Sequence, residues 1–303
     1  MSKVSFIVPS YNSFKTIHRT LDSIFSLHAI DQIQQVIVVD SSDDVITRRL
    51  IRRYHHPKLH LIELSQKTAP AETRNRGARD AEAELLCFID SDVFLDEYWL
   101  DHILTAYEDG CSIGGGAVGV SDFQDKNPLA LAQFYLQFNE SLKVGKIRPM
   151  TMLPACNMFI QRQLFEKVGG FPDLRASEDV VFCLKCAPFS PIWFVPEALC
   201  FHIFREEQNS FFQNQMILGQ YIMVYRRLCY KKWYYQKPWA CILLPAFLLI
   251  KMMRIISRIM KAGQIHLKKF VFSFPMFLLG LFFWAKGFYQ EAIIASNVKL
   301  KET

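Results

Sequence analysis

The sequence predicts an α/β fold, a mostly parallel central sheet flanked by helices, followed by a separate C-terminal helical region that is apolar and basic. Three observations carry this. Short β-rich runs alternate with helix-period segments over the first hundred residues. Several of the apolar runs end in acids or turn residues, which gathers polar chemistry at the carboxyl edge of a parallel sheet. Finally, between Gln208 and Gln290 there is no Asp or Glu, yet there are twelve basic residues.

Val4–Val8 is the first strand, broken by Pro9-Ser10-Tyr11-Asn12, after which Ile17, Leu21, Ile24 and Phe25 recur at helical spacing. Val36–Val39 is the second, ending in Asp40-Ser41-Ser42-Asp43-Asp44, and a helix follows through Arg48, Arg49 and Tyr54. Leu59–Leu64 is a third strand, and Ala71 to Ala83 a helix carrying Arg74, Arg76 and Arg79. The fourth strand, Leu85–Ile89, runs into Asp90-Ser91-Asp92. Two carboxylates one residue apart at a strand end suit a hard divalent ion, Mg²⁺ or Mn²⁺, that keeps positions open for the phosphates of a nucleotide. The same pair could instead cap the helix that Asp96, Glu97 and Trp99 open.

Pro9-Ser10-Tyr11-Asn12, the VVDSSDD run at Asp40, TRNRGA around Arg74 and FIDSD at Asp90 together resemble the inverting family 2 glycosyltransferases of GT-A fold. The resemblance covers the nucleotide-binding half, residues 4–110, and departs from the usual VDDGSTD at Ser41-Ser42. It implies that Pro9, Tyr11 and Asn12 present backbone groups and an aromatic face to a base, that Asp40 accepts a base N–H, and that Arg74 meets a base oxygen or phosphate. It implies also that Asp92, helped by Asp90, holds the metal. Read without it, Pro9–Asn12 is an ordinary turn, Asp40 a turn-former bonding its own backbone, and Arg74 part of a solvated helix face, a reading that fits Arg76 and Arg79 better.

Residues 111–207 form the expected acceptor half. Cys111–Val120, with Gly114-Gly115-Gly116, reads as a strand with a close backbone approach, and Pro128–Leu142 as a helix. Then come Pro154-Ala155-Cys156-Asn157-Met158-Phe159, Phe165 to Phe171 with Gly169-Gly170, and Ser177-Glu178-Asp179. Their order is similar to the family's GNM, GGF and ED motifs, with Cys156 where glycine is commoner. The resemblance implies that Asp179 is the base that deprotonates an acceptor hydroxyl and that Glu178 is its orienting neighbour, toward a sugar hydroxyl; alone, Asp179 is better explained as an acid at a helix N-terminus. His202, in Leu199–Phe204, falls where some relatives place a histidine near metal or diphosphate, and is otherwise a core residue.

Of 35 Lys and Arg and 29 Asp and Glu, residues 1–207 hold 21 basic and 27 acidic, so this part is near −6 and the basic excess belongs to the last third. A basic segment so rich in Phe, Trp and Leu points to an anionic membrane surface and away from nucleic acid. With strand residues starting almost at once and no charged n-region before them, the body is expected in the cytosol, at the cytoplasmic face of the cell membrane. Eight scattered cysteines fit a reducing compartment, and the Cys183-to-Cys186 pair lacks a second zinc-spaced pair. The apolar stretches Trp239–Ile250 and Phe270–Ala285 number 12 and 16 residues, short of the roughly 20 a perpendicular span needs. Lys251, Arg254, Arg258 and Lys261 fall on one helical stripe with Met252, Met253, Ile255, Ile256, Ile259 and Met260 elsewhere, as on a helix lying among headgroups. The second stretch, interrupted by Pro275 and Gly280, reads as a re-entrant or interfacial hairpin arm. A spanning pair, or an apolar interface within a homodimer, would also use this region.

The chain is therefore read as residues 1–207, a glycosyltransferase domain, and 208–303, a membrane-associating region. The expected reaction moves a sugar from a nucleotide sugar, UDP-linked by resemblance, to a glycan or lipid-linked acceptor in cell-surface polysaccharide assembly. The Q(Q/R)xRW pattern of processive synthases is not found, so one sugar per encounter is expected. A polyprenyl-phosphate sugar synthase and a catalytically silent nucleotide-sugar-binding membrane scaffold are the rivals. A nucleotidyltransferase would need a glycine-rich basic loop at Pro9–Asn12, and there is none.

Overall fold

The computed structural model describes residues 2–294; residues 295–303, with Lys299, Lys301 and Glu302 of the expected C-terminal region, lie outside them. The chain forms two compact units. The first runs to Gly119 and resumes over Gly145–His202; the second comprises Val120–Val144 and the chain from Ile203 onward.

The first unit opens with β1 (Val4–Ser10), α1 (Ile17–Phe25), β2 (Ile33–Asp40), α2 (Val45–Arg53) and β3 (Leu59–Glu63). It continues with α3 (Pro70–Asp80), β4 (Leu85–Ile89), β5 (Val93–Leu95), α4 (Trp99–Glu108) and β6 (Ile113–Val120). The second unit takes α5 (Pro128–Gln137). Back in the first are β7 (Arg148–Met150), β8 (Asn157–Gln161), α6 (Arg162–Lys167), α7 (Glu178–Cys186) and β9 (Ile192–His202). The second unit ends with α8 (Gln208–Tyr225), α9 (Trp239–Ile242), α10 (Leu244–Ala262) and α11 (Gln264–Ile294).

Nine strands form one sheet in the order β3-β2-β1-β4-β8-β6-β9-β5, with β7 on β9. The run β3-β2-β1-β4 is parallel, so the carboxyl ends of β1, β2 and β4 share one edge. β1 and β4 are buried on both faces, which is why their sequences are unbroken apolar runs. α1 turns Ile17, Thr20, Leu21 and Ile24 inward, and α2 is started by Asp44, whose carboxylate accepts from the Thr47 N–H at 2.6 Å. The glycine run of β6 meets its neighbours as expected: a Cβ on Gly115 would stand 2.2 Å from the Asn157 carbonyl oxygen, and one on Gly116 1.7 Å from that of Ala198.

The domain expectation differs in one respect. Residues 120–144, expected within the acceptor half, belong with the C-terminal helices. The reason is burial: α5 is apolar around its whole circumference and hides Leu129 to Leu136 against α11, so only a helical layer covers it. The helix expected to Leu142 ends at Gln137.

The hairpin arm expected around Pro275 is instead a continuous 31-residue helix, α11, with Pro275 inside it. Pro275 lies on the exposed side, while the opposite side is gripped by α8 and α5. Gly219 and Gly287 let the helices touch, because a Cβ on either would come 2.0 Å from a backbone oxygen of the other helix, Trp284 or Met216. The basic stripe of α10 also divides. Arg254 and Lys261 are exposed, Lys251 and Arg258 are partly buried, Ile255 and Ile259 face the interior, and Met253 and Met260 are 52% and 64% exposed. Packing claims one edge of the stripe, which periodicity alone did not show.

Candidate active site

Two clusters form at the carboxyl edge of the parallel strands. The first is centred on Arg74, one turn into α3 on its buried side with Ala71, Thr73, Gly77 and Ala78. Its guanidinium donates to Asp90 Oδ1 at 2.6 Å and to Glu178 Oε1 at 2.8 Å, and lies 5.5 Å from the centroid of the Phe171 ring. Burial opposes the arginine's charge, but the two carboxylates outweigh it and raise its pKa. Its Nε has no acceptor among the described residues. The solvated helix face is real but belongs to its neighbours: Arg76 is half-buried and Arg79 exposed, and they pair with Asp80 and Glu72.

Glu178 and Asp179 open α7. Ser177 before them has φ 62°, a left-handed conformation that is costly for serine and found where a site demands it. That turn aims Glu178 at Arg74, while an Asp179 oxygen accepts the Val180 N–H at 2.8 Å. Burial, then the Asp179 charge, push Glu178 up to about 7 against the pull of Arg74. Burial raises Asp179 as well. Two adjacent acids held above the ordinary carboxylate range beside one cation suit proton transfer.

Asp90 and Asp92 do not cap α4, because β5 intervenes and Asp96 instead accepts from the Tyr98 N–H at 3.2 Å. Pairing of β5 with β9 sets Val93 opposite His202, so Asp92, one residue earlier, comes 3.6 Å from His202 Nε2. His202 is 8% exposed and Asp92 remains partly open. Among the described residues no group of three or more His, Cys, Asp or Glu is spaced to cage an ion. Asp92 and His202 are the pair of donors brought together here, an oxygen and a nitrogen of the kinds a divalent ion accepts alongside substrate phosphates.

The second cluster joins Pro9–Asn12 to the loop after β2, since Pro9 pairs with Val39 and Ser10 with Asp40. Asp40 is fully buried and accepts from Ser10 Oγ and Ser42 Oγ at 2.7 Å each and from Arg48 Nε at 3.3 Å, so its oxygens tie the two loops together. The outward acceptor is Asp43, which receives Tyr11 Oη at 2.9 Å and Asn12 Nδ2 at 2.6 Å. Those bonds, Asn12 first, lower its pKa. Lys67 covers the Tyr11 ring at 4.2 Å, and Asn12 takes φ 51° to present its amide.

Sequence reasoning assigned no role to Asp43, Lys67, Asn75 or Asn157. Asn75, next to Arg74, donates to the Phe171 carbonyl at 2.8 Å and accepts its N–H at 2.9 Å, pinning the Gly169-Gly170-Phe171 loop. Asn157 receives the buried Trp99 Nε1 at 2.8 Å and donates to the Ala117 carbonyl at 2.9 Å. Both asparagines stood inside quoted motifs, which was the only available signal.

A curled, mostly parallel α/β sheet flanked by helices is the GT-A fold. The sequence profile of Glycosyl transferase family 2 matches residues 5–169, more than half of the chain, and the chain belongs to that family. It is similar to glycosyltransferase AglE of Haloferax volcanii, at 25% identity over 212 residues covering 62% of this chain and 69% of AglE. It is also similar to the poly(ribitol-phosphate) beta-N-acetylglucosaminyltransferase TarS of Staphylococcus aureus, at 27% over 201 residues, 61% of this chain but 32% of TarS. The chain thus spans about a third of TarS. Among solved structures, the mannosyltransferase PcManGT of Pyrobaculum calidifontis, in complex with GDP-Man and Mn²⁺, shares the fold with a TM-score of 0.63 at 17% identity, over 98% of this chain and 88% of that one.

Proposed function

We propose that this glycosyltransferase moves one sugar per encounter from a nucleoside-diphosphate sugar, with inversion, to a hydroxyl of a glycan or lipid-linked acceptor in cell-surface polysaccharide assembly. The observation that carries the reading is the pair of hydrogen bonds that Arg74 donates, which couples the strand-end acid Asp90 to Glu178 at the start of α7. Donor side and acceptor side thereby share one buried cation.

In this reading Tyr11, Asn12 and Asp43 meet the base, with Pro9 shaping the turn and Asp40 bracing it from behind. UDP is favoured by family likeness, and GDP fits the same reading because the base-facing groups are few. Asp92 and His202, with Asp90, would hold Mn²⁺ or Mg²⁺, which when bound offsets the negative charge of the diphosphate leaving group. Asp179 takes the proton of the acceptor hydroxyl, and its raised pKa makes it a stronger base than a water-exposed aspartate. Glu178 holds Arg74 in place, and the guanidinium offsets charge that develops beside it. A single in-line attack inverts the anomeric carbon.

Membrane association is part of the proposal. α11 is the one helix among the described residues long and apolar enough to cross a bilayer, and about half of its apolar window is buried in the protein. Its outer side exposes Ile265, Val271, Phe272, Leu279 and Phe282, and α10 adds Met253 and Met260. Apolar side chains facing outward among uncompensated lysines suit a helix pair lying in the headgroup layer of an anionic cytoplasmic leaflet.

Transfer from UDP- and GDP-sugars, assayed with and without Mn²⁺ and with product configuration read by NMR, tests the reaction. Inverted product and metal-dependent turnover are expected. Retained configuration, or donor binding with no transfer to any hydroxyl acceptor, would overturn it.

A further inference from the structure

One stretch of the second unit takes no part in the proposed reaction. Residues 230–239, which lead from α8 into the first residue of α9, hold five aromatic side chains and three lysines, with no acid. Trp233 is 60% exposed and Trp239 47%. Lys231, Lys232 and Lys237 are exposed as well, and among the described residues none of them has an ion pair. Large aromatic groups left in water beside uncompensated cations mark a surface that meets a partner.

Packing from beneath holds this surface in shape. The stretch Trp233–Tyr235 is a tight turn, closed by the Tyr235 and Gln236 N–H groups donating to the Lys232 and Trp233 carbonyls at 3.0 Å each. Tyr235 lies 5.9 Å from Phe247 by ring centroids, and both adjoin the apolar cluster of Trp284 and Phe288. Tyr234 is 4.6 Å from Tyr235 and 5.5 Å from Trp233, and the Trp239 ring meets Trp233 edge to face, 5.4 Å away at 88°. The two tyrosines are therefore the half-buried base of the turn, and the two tryptophans stand clear of it.

We propose that residues 230–239 are an interfacial anchor: Trp233 and Trp239 enter an anionic bilayer at the level of the glycerol groups, while Lys231, Lys232 and Lys237 meet the headgroup phosphates. Indole suits that depth, because its body is apolar and its N–H still finds a hydrogen-bond partner there. Each lysine reaches the phosphates on a flexible stem, and opposite charge holds it. A glycan fits the same surface less well. Sugars need polar groups beside the aromatic face to fix their hydroxyls, and here only Gln236 is an amide and there is no carboxylate. Ile242, one turn beyond Trp239 in α9, is as exposed as Trp233, and an aliphatic side chain in that place serves lipid. The inference rests on the membrane association proposed above for its partner and adds the segment that penetrates, whereas α10 and α11 lie along the headgroups.

The full chain is titrated with vesicles of phosphatidylcholine and phosphatidylglycerol, with and without bromine on the upper acyl chain, while tryptophan emission is followed. Trp99 and Trp284 are buried in the protein, so bromolipid quenching reads the outer rings. The wild type should be quenched and shift to shorter wavelength. Trp233→Ser with Trp239→Ser should remove most of the quenching and weaken partitioning roughly tenfold or more at an unchanged melting midpoint, since apolar area entering the bilayer sets the affinity. If the double variant fails to fold, each single variant should show a partial loss of quenching. Lys232→Gln with Lys237→Gln should weaken partitioning at low salt and match the wild type at high salt. Vesicle binding without quenching would overturn the anchor and leave the membrane association standing, whereas a wild type that binds no vesicles would overturn both. Binding to polygalacturonate that the tryptophan variant loses, with its vesicle partitioning intact, would make the segment a glycan platform instead.

Discussion

Arg74 is the side chain that Asp90 and Glu178 share, and its two carboxylate hydrogen bonds make it irreplaceable by lysine. Arg74→Lys keeps the charge but not the fork, so turnover should fall at least tenfold while the melting midpoint drops only modestly. Asp179→Asn should cost roughly a hundredfold or more in turnover, the usual worth of a positioned base, with nucleotide affinity unchanged; full activity in this variant removes Asp179 from that role. In the wild type, activity should fall on acidification through a pKa above the ordinary aspartate range, because the base role proposed for Asp179 needs it deprotonated and burial raises its pKa. Glu178 links pH to stability. Its pKa rises on folding from 4.5 to about 7, so the folded chain keeps a proton that the unfolded chain has released. The cost is absent below pH 4.5, grows as pH rises toward 7 and persists above it. Glu178→Gln should therefore match wild type in melting at pH 4 and exceed it at pH 8. A gap that narrows as pH rises would refute this.

Short structural devices hold those side chains. The left-handed Ser177 starts α7 so that Glu178 reaches Arg74, and Asn75 clamps the loop carrying Phe171, whose ring lies beside the same arginine. Asn75→Ala should lower turnover more than stability, since it frees a loop at the site. In the second unit the crossing of α8 and α11 depends on Gly219 and Gly287. Gly287→Val puts a side chain into the Met216 carbonyl, and forcing the helices apart should cost about 3 kcal/mol, read as a lower midpoint in thermal unfolding.

Across the whole chain, charge and apolar surface are segregated: the first 207 residues are near −6, while the segment from Gln208 to Gln290 carries twelve bases and no acid. Each basic residue near an anionic leaflet contributes roughly 1 kcal/mol, screened by salt. Flotation with phosphatidylglycerol vesicles should accordingly weaken as salt rises, yet persist in part through the apolar contacts. Met253→Glu with Phe272→Glu should abolish it, because both side chains are more than half exposed. Vesicle binding unaffected by the pair, together with dissociation of a homodimer, would assign this surface to a second copy of the chain instead.

Much of this was legible in the residues themselves. The parallel strands were readable because burial on both faces leaves runs such as Leu85–Ile89 with no polar interruption. The strand-end acids were readable because the polar residues begin where those runs stop. What the order of residues left undetermined depended on distant partners. Asp40 and Asp43 are both acids in one turn, and only Ser10, Ser42 and Arg48 closing around Asp40 leave Asp43 as the outward acceptor. Arg74 differs from Arg76 and Arg79 only by the side of α3 that packs. Likewise Lys251 and Arg258 share a stripe with Arg254 and Lys261 until the packing of α10 draws the first two inward. Local pattern set which residues form strands and helices, since propensity and periodicity act over a few residues; the fate of each charge was decided by tertiary contacts, because burial and counter-charge come from residues far apart in the chain.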